Sequence, residues 1–124
     1  SLNYIQKIIS STYTEGVPVI YYSRSKSNFD KLKILDIDCI GISSENNLGD
    51  MYKFFDEKFA IQGNLNTDIL KEDKDTIKKG VIKTLETFPF ETGHVFNLGT
   101  GITPDIHPDK VSYLVDQVRE LSVK

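Results

Sequence analysis

Two spacings of apolar residues alternate along this chain. Four short, nearly continuous apolar runs begin near residues 18, 38, 59 and 94, and runs of this kind predict strands that are covered on both faces. Before the first run and after each of the four, apolar residues recur at three- and four-residue intervals, which predicts amphipathic helices. The expected order is therefore a helix followed by four strand–helix units. Strands that alternate with helices in this way pair in parallel through right-handed crossovers.

Capping and helix-breaking residues set the expected boundaries. The first helix is predicted over residues 2–13, and Ser27-Asn28 is expected to cap the second. Pro108 fits the first position of the last helix. The third strand, residues 59–64, is expected to end in a polar turn at Gln62-Gly63-Asn64.

Two architectures fit this element order: a small open doubly wound sheet and part of a (β/α)8 barrel. In both, the loops that leave the carboxyl ends of the strands form the ligand-facing side. These loops are expected at residues 22–25, 43–44, 62–64 and 97–101. Functional residues are therefore sought among them.

Composition and charge narrow the class of protein. The 124 residues suffice for one compact unit, residues 1–124, and 39% apolar and 27% charged residues are ordinary for a folded protein. A formal net charge of −3 argues against nonspecific nucleic-acid binding, which depends on a positive field. The sequence has no long apolar segment and one cysteine, Cys39, which cannot form an internal disulfide. We therefore expect a cytoplasmic protein that binds neither nucleic acid nor membrane.

The segment Asn97-Leu98-Gly99-Thr100-Gly101 is the clearest candidate for a binding site. Paired glycines after a strand favour close approach of a phosphate to backbone N–H groups. The dinucleotide pattern fails here, because its third glycine would fall at Pro104 and the following helix begins several residues too late. A tight turn that exposes backbone amides at a strand end fits the two glycines better.

Two further polar residues lie at predicted strand ends. Asn64 either lines a pocket or hydrogen-bonds its own backbone, and Arg24 either clamps a carboxylate with its planar guanidinium or is a solvated loop residue. His94 and His107 lack the spacing of metal ligands, and Cys39 lies inside an apolar run. No pairing of acid, base and nucleophile is defensible, so the sequence predicts no catalytic residue, no metal and no cofactor.

Two of these motifs together resemble the carboxyl-terminal part of the uroporphyrinogen decarboxylase family. They are Gln62-Gly63-Asn64-Leu65 and, further along the chain, Phe96-Asn97-Leu98-Gly99-Thr100-Gly101-Ile102, which a proline-containing turn and a helix including residues 109–118 follow. Residues 4–22 resemble the helix and strand that precede these motifs in that family. The resemblance therefore covers essentially the whole chain.

The resemblance implies a fold and a function. The family folds as one TIM (β/α)8 barrel, of which this chain would be the carboxyl-terminal half, strands five to eight. The implied activity is that of a carboxy-lyase that uses neither metal nor cofactor and decarboxylates uroporphyrinogen to coproporphyrinogen in haem biosynthesis. The residues implied to bind the tetrapyrrole substrate are Asn64, Asn97, Gly99, Thr100, Gly101 and Arg24.

The same resemblance implies what this chain does not supply. The family's aspartate and arginines that engage the substrate belong to its amino-terminal half, so these 124 residues are expected to be inactive alone. The chain has Thr100 where the family usually has histidine, Asn66 where it has aspartate, and Ile42-Ser43-Ser44 where it has Leu-Asp-Trp. Related zinc-dependent methyltransferases use His and Cys ligands at strand ends, and Cys39 alone does not supply such a site.

Two other functions stay open. A half-barrel would leave the outer edges of strands 18–23 and 94–98 unpaired, and such edges bind partners. The chain would then be a non-catalytic remnant or assembly partner that forms a homodimer or combines with a complementary amino-terminal half. The third possibility is a small open-sheet domain that binds an anion at the turn of residues 99–101.

Overall fold

The computed structural model describes residues 2–12, 16–22 and 29–123. Its centre is one sheet of four parallel strands in the order β1-β2-β3-β4. The strands are β1 (Ile20–Tyr22), β2 (Cys39–Gly41), β3 (Ala60–Leu65) and β4 (His94–Leu98). The parallel α/β order predicted from the apolar spacing is confirmed.

Helices flank the sheet and connect its strands. They are α1 (Leu2–Thr12), α2 (Phe29–Leu32), α3 (Leu48–Phe54), α4 (Lys74–Glu86), α5 (Pro108–Leu121) and a 3-10 helix (Thr67–Lys71). Pro108 occupies the start of α5, as predicted, because no hydrogen-bond donor is needed there. Helix α2 is a single turn, and its predicted cap, Ser27-Asn28, lies outside the described residues. None of the described helices is long and apolar enough to span a membrane.

The third strand runs further than predicted. Residues 62–64 form no turn but pair in register with β4, where Asn64 lies opposite Asn97. The hydrogen-bonding continues beyond them, since the Gly99 N–H donates to the Leu65 carbonyl at 2.8 Å. Glycine and asparagine favour turns locally, but pairing with β4 outweighs that preference here.

Two apolar clusters pack the helices against the sheet. The larger joins β2 and β3 to α2 and α3 and includes Phe55 and Phe59, whose ring centroids are 5.4 Å apart. The smaller joins the 3-10 helix, α4 and α5 through residues such as Leu70, Val81 and Leu114. Each fully buried apolar side chain of this size contributes about 1.5–3 kcal/mol. These clusters are therefore the main source of stability.

The carboxyl ends of the first and last strands approach each other on the face of the sheet opposite the helices. The Tyr22 hydroxyl on β1 donates to the Gly99 carbonyl, just after β4, at 2.8 Å. Two strands separate β1 from β4, and in a flat sheet they would lie about 14 Å apart, beyond the reach of a tyrosine side chain. This end of the sheet is therefore concave, as expected of half a (β/α)8 barrel.

The concave face is open at both edges of the sheet. Ile20 on β1 is 50% exposed and Val95 on β4 is 44% exposed, whereas the neighbouring Tyr21 and Phe96 pack against the apolar clusters. The prediction that both faces of each strand are covered is confirmed for β2 and wrong for β1 and β4. The apolar runs mark the strands correctly, but burial of the second face needs a layer that the described residues do not supply at these edges.

Helix α4 begins at an N-cap whose contribution to stability depends on pH. Hydrogen bonds from the Thr76 side chain and from the Thr76 N–H lower the pKa of Asp73 below its ordinary value of 3.8. A carboxyl whose pKa is lowered by folding stabilises the fold above its unfolded pKa. That contribution is lost as the pH falls through the folded value.

We expect Asp73→Ala to lower the melting temperature at pH 7 by a few degrees. Asp73→Asn should lower it less, because asparagine retains an acceptor at the cap. The difference between wild type and Asp73→Ala should narrow below pH 3.8, as the carboxyl takes up a proton. Thermal unfolding followed by circular dichroism between pH 7 and pH 2 measures both effects. A difference that stays constant over this range would rule out the charged cap.

Candidate functional site

A cleft of ≈ 400 Å³ lies at the carboxyl end of the concave face. Its lining comes from all four strands and from the segments that follow β2 and β4. The residues are Tyr22, Gly41, Ile42, Gln62, Asn97, Leu98, Gly99, Thr100, Gly101 and Ile102. The structure thus brings together four of the six residues predicted to bind a ligand, those between 97 and 101.

The surrounding backbone leaves room only for glycine at position 99. A Cβ added there would lie 2.7 Å from the Ser44 backbone nitrogen, so only glycine fits without displacement. Its N–H is already donated to the Leu65 carbonyl. The expectation of a turn that exposes its backbone amides is therefore wrong at Gly99. At Gly101 the space where a Cβ would stand is open.

Thr100 is tied to the 3-10 helix through Thr67. The Thr67 hydroxyl donates to the Thr100 carbonyl at 2.9 Å, and the two hydroxyl oxygens lie 3.1 Å apart. Because Thr67 has a single hydroxyl proton, the Thr100 hydroxyl is the donor in the second bond. The Thr100 proton is thereby engaged with a residue that is only 6% exposed. The Thr100 hydroxyl oxygen can therefore accept a hydrogen bond from a ligand, but the hydroxyl proton is not available to donate one.

The cleft is electrically neutral along the lining residues given above. Asn97 uses its side-chain oxygen to accept the Leu98 N–H at 2.8 Å, which leaves its NH2 group on the exposed side. Gln62, half-buried in the floor, carries a second amide. Tyr22 and Ile102 add apolar surface. These described lining residues therefore offer neutral hydrogen bonds and apolar contact, and none of them is of a type that titrates near neutral pH.

Asn64 lies outside this cleft. Its side chain is 8% exposed, and its NH2 group donates to the carbonyls of Ser43 and Asn46 in the loop after β2. The alternative that Asn64 hydrogen-bonds its own backbone is wrong. Asn64 borders a separate groove of ≈ 360 Å³ beside α4, which also includes Lys83. The Asn64 side chain therefore holds the loop after β2 in place and forms no part of the cleft wall.

The remaining candidates occupy other positions. Arg24 lies outside the described residues. The His94 Nε2 lies 2.8 Å from the Gly63 carbonyl, and His107 caps α5 by accepting the Asp109 N–H. Burial raises the pKa of the Cys39 thiol, and the Asp38 carboxylate adds to the shift. Among the described residues no three His, Cys, Asp or Glu side chains are placed to hold a metal ion.

Sequence reasoning placed Tyr22 and Gln62 in ligand-facing loops but assigned neither to the site. The signal for Tyr22 is the alternation of β1, in which Tyr21 packs against the core and Tyr22 is 39% exposed. Gly41, at the matching position on β2, is the second signal, since its missing side chain makes room for the Tyr22 ring.

A comparison with protein families decides where this fold and cleft belong. The family model for uroporphyrinogen decarboxylase (URO-D) matches residues 1–121. The chain belongs to the uroporphyrinogen decarboxylase family. The resemblance drawn from the two sequence motifs is confirmed.

Curated relatives in the family match the chain from end to end. Uroporphyrinogen decarboxylases from Pseudomonas putida F1 and Pseudoalteromonas translucida are each 33% identical over 129 residues, which covers 100% of this chain. The enzyme from Legionella pneumophila Corby is 32% identical over 125 residues, or 98% of this chain. In each case the chain spans 36% of the relative's length.

A solved structure supports the fold. A methyltransferase from Methanosarcina mazei superposes with a TM-score of 0.79 at 18% sequence identity. The match covers 98% of this chain and 36% of the methyltransferase. At this identity the similarity concerns the fold alone, and it agrees with a parallel α/β half-barrel.

Proposed function

We propose that this chain is the carboxyl-terminal half of a uroporphyrinogen decarboxylase-like barrel and supplies one wall of its tetrapyrrole-binding cleft. The reaction of the complete protein would be the decarboxylation of uroporphyrinogen to coproporphyrinogen in haem biosynthesis, in the cytoplasm. The observation that carries the proposal is the cleft lined by residues 97–101 at the carboxyl end of a parallel sheet in this family. Ligand sites of (β/α)8 barrels lie at that end.

The cleft residues suit binding of a tetrapyrrole rather than its chemistry. Tyr22 and Ile102 offer apolar surface to pyrrole rings, and Asn97 and Gln62 offer neutral hydrogen bonds. None of the lining residues has a side chain that exchanges protons near neutral pH. We therefore assign proton transfer and recognition of the substrate carboxylates to residues outside this lining. The chain alone is proposed to be inactive.

The partner that we propose is a polypeptide that corresponds to the amino-terminal part of the relatives. Within the described residues, β1 and β4 each pair with one neighbour, so each has an outer edge available. Ile20 and Val95 are exposed on the same concave face. A partner that adds a strand to each edge would also cover these apolar side chains, which is the usual reason for edges to associate.

The test mixes this chain with the amino-terminal part of the Pseudomonas putida relative that it does not match. Sedimentation velocity measures association, and fluorescence measures binding of uroporphyrin, a stable oxidised form of uroporphyrinogen. We expect a 1:1 complex that binds uroporphyrin more tightly than either part. Coproporphyrinogen formation by the chain alone would contradict the proposed inactivity, and a complex without uroporphyrin binding would contradict the proposed cleft.

A cleft-filling variant locates the binding site in the complex. Gly101→Val places a side chain where space is open, so we expect about tenfold weaker uroporphyrin binding or more, with unchanged association. Ser112→Val, on the exposed side of α5, is the matched control. Equal affinities of the two variants would place the ligand elsewhere.

The exposed edges also favour a second function, a non-catalytic protein that self-associates. Two copies could close two half-barrels by pairing β4 of each with β1 of the other. A dimer of the chain alone that resists the amino-terminal part would favour this function. A well-folded monomer, alone and in the mixture, would exclude both proposed partners.

The anion-binding alternative has less support. Its site requires free N–H groups at the turn of residues 99–101, but the Gly99 N–H is donated to Leu65. Helix α5 begins at Pro108, too far along the chain for its N-terminus to complete a phosphate site at that turn.

A further inference from the structure

Tyr22 connects the first strand of the sheet to the turn after the last. Its ring lies over Gly41 on the adjacent β2, where an added Cβ would come within 2.8 Å of the ring atom Cδ2. A side chain at position 41 would therefore displace the ring. With the ring in this position, the Tyr22 hydroxyl donates to the Gly99 carbonyl at 2.8 Å.

The turn that receives this bond is held at two other points. The Gly99 N–H donates to Leu65 on β3, and Thr100 is paired with Thr67 on the 3-10 helix. Both of these bonds hold the turn to β3 and the segment that follows it. The Tyr22 bond differs, because it approaches from β1, across the mouth of the cleft.

We infer that Tyr22 is a positioning residue for the cleft: it sets the orientation of the Gly99–Gly101 turn and keeps the cleft in the shape that receives a tetrapyrrole. The ligand class rests on the proposed function, whereas the coupling between Tyr22 and the turn rests on the contacts themselves. Tyr22 is 39% exposed, so its ring also forms part of the wall that a planar pyrrole would touch.

The test compares two neighbouring tyrosines. Tyr22→Phe keeps the ring and removes the donor, and Tyr21→Phe removes a hydroxyl from the next residue, which packs against the core on the helix side. Amide chemical shifts of residues 99–101 in the full chain, without ligand, report the position of the turn. We expect Tyr22→Phe to move these resonances and Tyr21→Phe to leave them in place.

Uroporphyrin titrations of the same variants, alone and with the amino-terminal part of the relative, report the effect on binding. Loss of one hydrogen bond predicts about 3- to 10-fold weaker binding for Tyr22→Phe. Gly41→Ala, which displaces the ring but keeps the hydroxyl, should move the same resonances and weaken binding in the same direction. The melting temperatures of Tyr22→Phe and Tyr21→Phe are the control for stability. If both are lowered equally, a difference in uroporphyrin affinity between the two variants is not caused by lost stability.

The outcomes separate the two proposals. Unchanged resonances of residues 99–101 in Tyr22→Phe would overturn the coupling. Moved resonances with unchanged uroporphyrin affinity would overturn the positioning role. If the wild-type protein binds no uroporphyrin in either form, the proposed function fails and the positioning role fails with it, while the resonances alone still decide the coupling.

Discussion

Asn64→Asp is expected to lower the free energy of unfolding by about 3–5 kcal/mol at pH 7. The Asn64 NH2 group donates to the carbonyls of Ser43 and Asn46, and the side chain is buried. A carboxylate of the same shape would replace this donor by a charged acceptor facing two carbonyl oxygens. Urea unfolding followed by fluorescence or circular dichroism measures the loss.

Asn97→Asp is the matched control for that substitution. Asn97 is exposed, and its side-chain oxygen accepts the Leu98 N–H, a role that a carboxylate also fills. Its effect should stay within about 0.5 kcal/mol. The deficit of Asn64→Asp should shrink as the pH falls from 7 towards about 4, because burial against two carbonyl oxygens raises the pKa of the introduced carboxyl in the folded protein above its unfolded value, and the protonated carboxyl regains a donor. Similar stabilities of the two variants at pH 7 would show that the β2 loop does not depend on Asn64.

Gly63→Ala is expected to cost about 2–4 kcal/mol of unfolding free energy. Gly63 has a φ of +146°, which residues with a side chain rarely adopt, and an added Cβ would lie 2.8 Å from the Ile42 carbonyl oxygen. Strain and overlap therefore act together, and the overlapping atom belongs to the backbone immediately after β2, which cannot rotate away as a side chain could. Denaturant unfolding with near-ultraviolet circular dichroism measures the loss of stability and packing.

Gly101→Ala provides the comparison for Gly63→Ala. The space around the added Cβ is open at position 101, so its effect on stability should be small. A Gly63→Ala protein as stable as Gly101→Ala would mean that β3 relaxes away from β2 without cost.

The segment Gln62-Gly63-Asn64 shows why local signals fail where strands meet. Glycine and asparagine indicate a turn when read along the chain, and they predict the end of β3 at this point. In the structure both residues contact the segment that follows β2: Gly63 allows the Ile42 carbonyl to approach, and Asn64 donates to the Ser43 carbonyl. Those contacts join positions about 20 residues apart, so spacing in the sequence does not reveal them.

The fold was more predictable than the site. Parallel strand order and the start of α5 follow from local patterns, namely apolar runs and the proline at position 108. The grouping of residues 97–101 in a cleft also follows, because they are consecutive. The contribution of Tyr22 does not, since it depends on the curvature that brings β1 to the far side of the sheet. The Thr67–Thr100 pair does not follow from local patterns either, because its two residues lie 33 positions apart in the sequence.

The exposed edge of β1 has a consequence for how the protein behaves at high concentration. Residues 19–22 are uncharged and consist of β-branched and aromatic side chains, a composition that favours ordered aggregation. Two features oppose growth: β1 is three residues long, and Pro18 beside it has no N–H to donate to an added strand. The chain thus carries its own protection against fibrous assembly at the edge where a partner would add.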